Sequence, residues 1–158
     1  MSYMAIITDG SCGIGAATAH LATEAGDDVC INYALDAEAA RKVAVKCESK
    51  VRRARAAQAD KADNTEVARL FHAYGERQGS LANNASTIGQ ATTITNPTDD
   101  TLTLIFMVHA YGAVYPQEAI KLMVKSAGGS DAVIVNISSL AAQRGSPGGC
   151  VHYATSKA

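Results

Sequence analysis

No run of apolar residues in this 158-residue chain is long enough to span a bilayer, and no basic stretch with a long apolar core opens it. Those two absences set the expectation of no membrane partner, no secretory signal and a cytoplasmic location. An excess of charge of either sign is missing too. The formal net charge is -1, so there is no basic field to hold a nucleic-acid backbone or an anionic surface. The four cysteines, Cys12, Cys30, Cys47 and Cys150, form no CxxC pair, and His20, His72, His109 and His152 show no ligand spacing beside them. Free thiols in a reducing compartment are therefore expected, rather than a metal centre or a disulfide framework. Two matches to the glycosylation pattern, Asn84-Ala85-Ser86 and Asn136-Ile137-Ser138, then read as accidental, because both border apolar, strand-like sequence. Repeats, low-complexity tracts and linkers are absent as well. A composition of 47% hydrophobic and 18% charged residues is ordinary for one globular domain, residues 1–158, with a sizeable core.

What is present is organised around Thr8-Asp9-Gly10-Ser11-Cys12-Gly13-Ile14-Gly15. This glycine-rich turn lies between the apolar run Met4-Ala5-Ile6-Ile7 and the helix-forming run Ala16 to Ala22. Strand, tight turn and helix is the simplest reading. Amides at the start of such a helix point outward with the positive end of the helix dipole behind them, which suits a phosphate or pyrophosphate. Taken alone, such a turn carries little weight, and a bare βα connection explains it better.

Gly26 is a plausible stop for the first helix, and Val29 to Tyr33 reads as a buried strand. Asp36 can cap a helix running to about Lys50. Ala54 to Ala59 is a weaker strand candidate, interrupted by Arg55, and a helix is expected from about Asn64 to Arg77. Leu81-Ala82 predicts an unusually brief strand before Asn83-Asn84-Ala85-Ser86. After a polar loop from Thr87 to Asp100, Leu102 to Lys125 reads as a long helix that Pro116 should kink or break and Gly128-Gly129 should end. Ala132 to Ile137 is the clearest buried strand. Ser138-Ser139 and a glycine-rich loop with Pro147 follow it, and His152 to Ala158 looks like the opening of a helix. Strands alternating with helices predict an α/β fold, a three-layer, doubly wound parallel sheet of Rossmann-like type.

In such sheets ligands bind beyond the carboxyl ends of the strands, and the polar residues gather there: the turn from Thr8, then Asp60, Asn83-Asn84 and Ser138-Ser139. Tyr153 and Lys157 are four residues apart, so on a helix they share a face. A phenol ionises at about pH 10 in water, and a neighbouring ammonium lowers that value. Such a pair can move a proton while a nearby serine hydroxyl holds a carbonyl oxygen. By themselves, an unrelated surface tyrosine and lysine explain the pair better.

Together these residues resemble the short-chain dehydrogenase/reductase family, of the classical type. The likeness rests on Thr8 to Gly15 (pattern TGxxxGxG), Asp60 after the third strand, Asn83-Asn84-Ala85 (NNAG), Asn136-Ile137-Ser138-Ser139 and Tyr153-Ala154-Thr155-Ser156-Lys157 (YxxxK), in the family's order over essentially the whole chain. The resemblance implies NAD(P)-dependent hydride transfer between a nicotinamide and a small alcohol or carbonyl substrate. It implies Tyr153 as the acid/base, with Lys157 lowering its pKa and holding the nicotinamide ribose. Ser139 would orient the substrate oxygen, with Ser138 as its rival. The cofactor-binding residues it implies are Thr8, Ser11, Gly13, Ile14, Gly15, Asp60, Asn84, Ala85, Tyr153 and Lys157. Tyr33 ends the second strand where an NAD enzyme often has a carboxylate, which favours NADP(H) slightly over NAD(H), although neither Cys12 nor Ala34-Leu35 supplies an arginine for a 2′-phosphate. Association into a homo-oligomer through the helices carrying His109 and Tyr153 is also implied.

Several positions depart from the family pattern. Asp9 stands where the first glycine of the turn is expected, Ser86 replaces the last glycine of NNAG, and His109 occupies the place of an asparagine. The chain also stops where family members continue through a further strand, a substrate lid and a last strand. Since one βα unit needs roughly 30 or more residues, the sheet is expected to be incomplete at its C-terminal edge, with the fifth strand exposed. These departures keep a second reading beside the enzyme: an inactive truncated relic that binds nucleotide weakly or serves as a partner protein.

Overall fold

The computed structural model describes residues 3–48, 53–74, 78–90, 96, 98–114, 132–146 and 149–158. Met4–Ile7 forms β1, and every one of its side chains is buried. Met4 and Ile6 pack with Val67, Leu70, Phe71 and Leu81 on one side of the sheet. Ala5 and Ile7 pack on the other with Ala19, Val43, Ala44 and Cys47. A strand apolar at every position is what a sheet covered on both faces demands.

The chain then runs through α1 (Gly13–Ala25), β2 (Asp28–Tyr33), α2 (Ala37–Glu48), β3 (Ala54–Gln58), α3 (Asn64–Tyr74) and β4 (Gln78–Asn83). Next come α4 (Asp99–Phe106) and β5 (Val133–Asn136). All described pairings are parallel and the strand order is β3-β2-β1-β4-β5, a doubly wound α/β sheet. Gly26 closes α1 with φ 105°, its amide reaching back to Ala22 and Thr23, and the Asp36 carboxylate accepts from the Ala39 amide at 2.9 Å to open α2.

Four elements differ from their sequence-based expectation. β4 spans Gln78–Asn83 rather than Leu81-Ala82, because the neighbouring β1 ladder recruits Gln78 to Ser80 across a register irregularity despite their weak strand propensity. β5 forms where expected; its composition reads as buried, but it is the exposed edge that the incomplete sheet predicts. It lies at the edge of the sheet, with Val133, Ile134 and Val135 exposed at 58%, 37% and 48%. The helix expected from Leu102 starts three residues earlier, at Asp99, where the Thr98 hydroxyl accepts from the Thr101 amide. Met107–Tyr111 then widens into a π turn before Gly112–Val114 resumes the α form. In place of a plain loop after Ser139, Leu140–Arg144 forms a short helix. Pro116, Gly128-Gly129, Pro147 and the end of the helix expected to reach Arg77 lie outside the described residues.

The last helix, Val151–Lys157, packs on α4, on the π turn and on Leu140–Arg144. Its buried His152 holds the loop after β4 through Nε2–H to the Ile88 carbonyl, 3.1 Å. Among the described residues, no helix is long and apolar enough to cross a membrane, and no cluster of three His, Cys, Asp or Glu side chains could hold a metal ion.

Candidate active site at the carboxyl edge of the sheet

Strand order reverses between β1 and β4, so the connections leaving these two strands diverge and open a crevice at their carboxyl ends. The turn from Thr8 forms one lip. Asp9 adopts φ 51° and Gly13 φ 52°, left-handed conformations that a short polar side chain tolerates and glycine adopts freely. Burial raises the pKa of the half-buried Asp9 carboxyl. A Cβ on Gly15 would run into the Asp9 carbonyl oxygen and meet Asn84 Nδ2 at 2.8 Å, so only glycine lets α1 begin this close to the crevice. No side chain caps α1, and Cys12, Gly13 and Ile14 are exposed beside the half-buried Ser11. The first-turn amides are thereby left open toward an anionic guest.

Thr8 and Asn84 tie the two lips together. Thr8 is only 2% exposed. Its hydroxyl donates to the Ala82 carbonyl at 3.2 Å and accepts from the amides of Asn84 and Ala85, each at 2.9 Å. Asn84 Nδ2 donates back to the carbonyls of Thr8 and Asp9, at 3.0 and 3.2 Å. Both side chains shape the cradle from behind, and Ala85 lies half-buried next to them. Asp60 is exposed beyond β3, its carboxylate accepting from the Ala62 amide at 2.8 Å.

Tyr153 and Lys157 share the last helix. Lys157 Nζ donates to the Ile137 carbonyl at 2.9 Å, and the Ser138 hydroxyl donates to the Lys157 carbonyl at 2.7 Å, so the helix is clasped to the chain leaving β5. Burial lowers the pKa of Lys157, while the Tyr153 phenol acts in the opposite direction. Ser139 caps Leu140–Arg144 by accepting from the Ala141 amide at 3.2 Å; its own proton has no acceptor among the described residues. Among the described residues, Ser138 has spent its proton and Ser139 has not.

Two residues central to this site went unassigned on sequence grounds. His109, 9% exposed and set in the π turn, stacks edge-on against Tyr153 with ring centroids 5.5 Å apart. Lys61, 7% exposed, donates from Nζ to Asn83 Oδ1 at 2.9 Å, and Asn83 Nδ2 in turn donates to Asn136 Oδ1 at 2.7 Å. Lys61, His109 and Lys157 line one cavity of about 230 Å³, which opens to solvent. Only the family asparagine's replacement marked His109 in the sequence; Lys61 carried no signal beyond its place next to Asp60.

Fold and site define a doubly wound α/β protein of Rossmann-like architecture with a polar crevice at its switch point. The chain belongs to the short-chain dehydrogenase family, whose model, described as short chain dehydrogenase, matches residues 3–158. It is 36% identical over 158 residues to an uncharacterized oxidoreductase of Escherichia coli (strain K12), YgfF, covering 98% of this chain and 64% of that protein. Among solved structures it is similar to a short chain dehydrogenase from Burkholderia cenocepacia J2315 in complex with NADP. That likeness has 33% identity and TM-score 0.85, over 98% of this chain and 62% of the other. A blue fluorescent protein from a metagenomic library, in complex with NADPH, matches at 30% identity and TM-score 0.84, over 98% and 63%. The chain thus spans less than two thirds of the length of these relatives.

Proposed function

We propose that residues 1–158 form a single dinucleotide-binding domain of an NAD(P)-dependent oxidoreductase acting on a small alcohol or carbonyl. The observation that carries this reading is the convergence on one sheet edge of an uncapped, glycine-lined helix start and a tyrosine–lysine pair clasped to the end of β5. Relatives with NADP and NADPH bound support it. When bound, the nicotinamide supplies or accepts the hydride. The amides at Ser11, Gly13, Ile14 and Gly15 would hold its pyrophosphate, with Thr8 and Asn84 fixing the turn, Asp60 toward the adenine and Ala85 toward the adenosine ribose. Tyr153 gives its phenolic proton to the substrate oxygen, and the Lys157 ammonium stabilises the negative charge left on the ring oxygen. Ser139 offers its unspent proton to that same substrate oxygen. NADP(H) is favoured only slightly over NAD(H), because Tyr33 leaves the end of β2 without a carboxylate.

A cytoplasmic location accords with four free cysteines. The exposed Leu104, Tyr111 and Val114 support self-association through the helix carrying His109. The deciding experiment is a titration with NADPH, followed by nicotinamide fluorescence, of this chain and of its Gly15→Val variant. Saturable binding that the variant loses is expected; no binding, or binding indifferent to the added side chain, would overturn the reading.

A further inference from the structure

Lys61 is the one lysine in the site with no counterpart in the mechanism above. It lines the same cavity as Lys157. Its methylenes lie against Gly112, where a Cβ would come within 3.1 Å of Lys61 Cγ and 3.2 Å of its carbonyl oxygen, so the π turn and the helix after it close over the side chain. Among the described residues one hydrogen bond, to Asn83 Oδ1, engages an ammonium that has three protons to give. No carboxylate answers it among the described residues. Asp60 accepts from the Ala62 amide, and Asp63 from the amides of Thr65 and Glu66. The remaining polar side chains lining the cavity are the neutral amides of Asn83 and Asn136, the His109 ring, the Ser138 and Ser156 hydroxyls and the Lys157 ammonium, and Ala158 lines it with its backbone and terminal carboxyl group.

We propose that Lys61 is a second acid/base group of this site, exchanging a proton with Lys157 through water in the shared cavity. The inference rests on Tyr153 and Lys157 being the acid/base pair. When Lys157 returns a proton to the Tyr153 oxygen, an N–H bond of the Lys61 ammonium breaks and an N–H bond of Lys157 forms. Lys61 is left as the neutral amine, and solvent at the open mouth of the cavity restores its proton. A proton store works best when its own ionisation lies close to the working pH. Burial first, and the Lys157 charge second, lower Lys61 to about 8.

The test is a pH titration followed by NMR of the full chain carrying lysine labelled with 13C at Cε, in wild type, Lys61→Met, Lys61→Gln and Lys157→Met. One resonance with a midpoint of about 8 is expected in the wild type, absent from both Lys61 variants and moved upward by at least about half a unit in Lys157→Met. A Lys61 midpoint in the ordinary lysine range, or one indifferent to the loss of Lys157, overturns the proposal. A chain that shows the coupling yet binds no NADPH overturns the oxidoreductase reading instead and leaves the pair standing. In NADPH-dependent carbonyl reduction, Lys61→Met should be about tenfold slower than wild type at pH 7 and should converge with it above pH 9, while Lys61→Arg should not rescue, since a guanidinium does not release its proton. Identical pH–rate profiles with and without Lys61 overturn the proton exchange.

Discussion

The Ser86 hydroxyl and His109 Nε2 lie 3.0 Å apart, joining two of the positions at which this chain departs from its family's pattern. The Thr87 amide donates to the same ring nitrogen at 3.1 Å, so Nε2 carries no proton. Nδ1 then holds the hydrogen and donates it to Ser156 Oγ at 2.7 Å, while Ser156 donates to the Tyr153 carbonyl at 2.8 Å. A serine where glycine is usual and a histidine where asparagine is usual thus compensate each other. Together they pin the loop after β4 to the helix that carries Tyr153 and Lys157. We expect Ser86→Gly and His109→Asn each to destabilise the fold, with a coupling energy of about 1 kcal/mol in a double-mutant cycle measured by urea unfolding. Strict additivity would mean that the contact contributes nothing.

That network needs a neutral imidazole, and its surroundings keep it neutral: burial first, then the charges of Lys157 and Lys61, lower His109 to about 4 from its ordinary 6.5. Between those two values the unfolded chain binds a proton that the native chain refuses. Stability should therefore be insensitive to His109 above pH 6.5 and fall as the pH drops from 6.5 toward 4, by up to about 3 kcal/mol. Urea midpoints measured across this window should flatten in His109→Asn. An equal slope in the variant would assign the acid sensitivity to other groups.

Asp9 burdens the cradle twice, through a left-handed backbone and through a half-buried carboxylate close to where phosphates would lie. Asp9→Gly should tighten NADPH binding about five- to tenfold, the size of roughly 1 kcal/mol of relieved repulsion and strain. Because burial raises the Asp9 pKa, wild-type affinity should also improve on acidification, as the carboxylate is neutralised, and the variant should lose that dependence. Calorimetric titrations at two pH values on each protein measure both effects. An unchanged dissociation constant would remove the charge argument.

Tyr153→Phe deletes one oxygen and keeps the ring that stacks on His109, so the packing of the last helix should survive. Carbonyl reduction with NADPH should fall below detection, while the NADPH dissociation constant changes less than about threefold. Turnover that persists in the phenylalanine variant would place the proton donor elsewhere.

Much of this architecture could be read in the residues because local chemistry and tertiary role agree there. Gly15 must be glycine for a steric reason visible in the turn, and Asp36 and Gly26 sit where helix ends want them. Other features were hidden where tertiary context outranks local preference. Gln78-Gly79-Ser80 becomes strand because β1 offers it a ladder, and Leu140–Arg144 becomes helix because Ser139 caps it. Thr8 was singled out for ligand binding, yet its hydroxyl is used up in joining the two lips of the crevice. The π turn has no period of its own in sequence, and a lysine between Asp60 and Asp63 reads as solvated until the fold encloses it.

Burying Lys61 carries a cost that its replacement should expose. The native chain holds its proton only up to about pH 8, the unfolded chain up to about 10.5, so below pH 8 the native state bears the whole penalty of an enclosed ammonium, about 3 kcal/mol. Lys61→Met keeps an unbranched side chain one heavy atom shorter and removes the charge, at the expense of the hydrogen bond to Asn83. At pH 7 the variant should be more stable than wild type by about 1–2 kcal/mol. As the pH rises from 8 to 10.5 the wild type regains this stability, so the difference between the two proteins should shrink across that interval. Urea unfolding of both at pH 7 and pH 9.5 decides the matter: a variant less stable at pH 7, or a gap that does not close, would show that Lys61 is accommodated as a charge. A lysine that weakens the fold at neutral pH and yet shares a cavity with Lys157 is the pattern expected of a residue retained for chemistry rather than for stability.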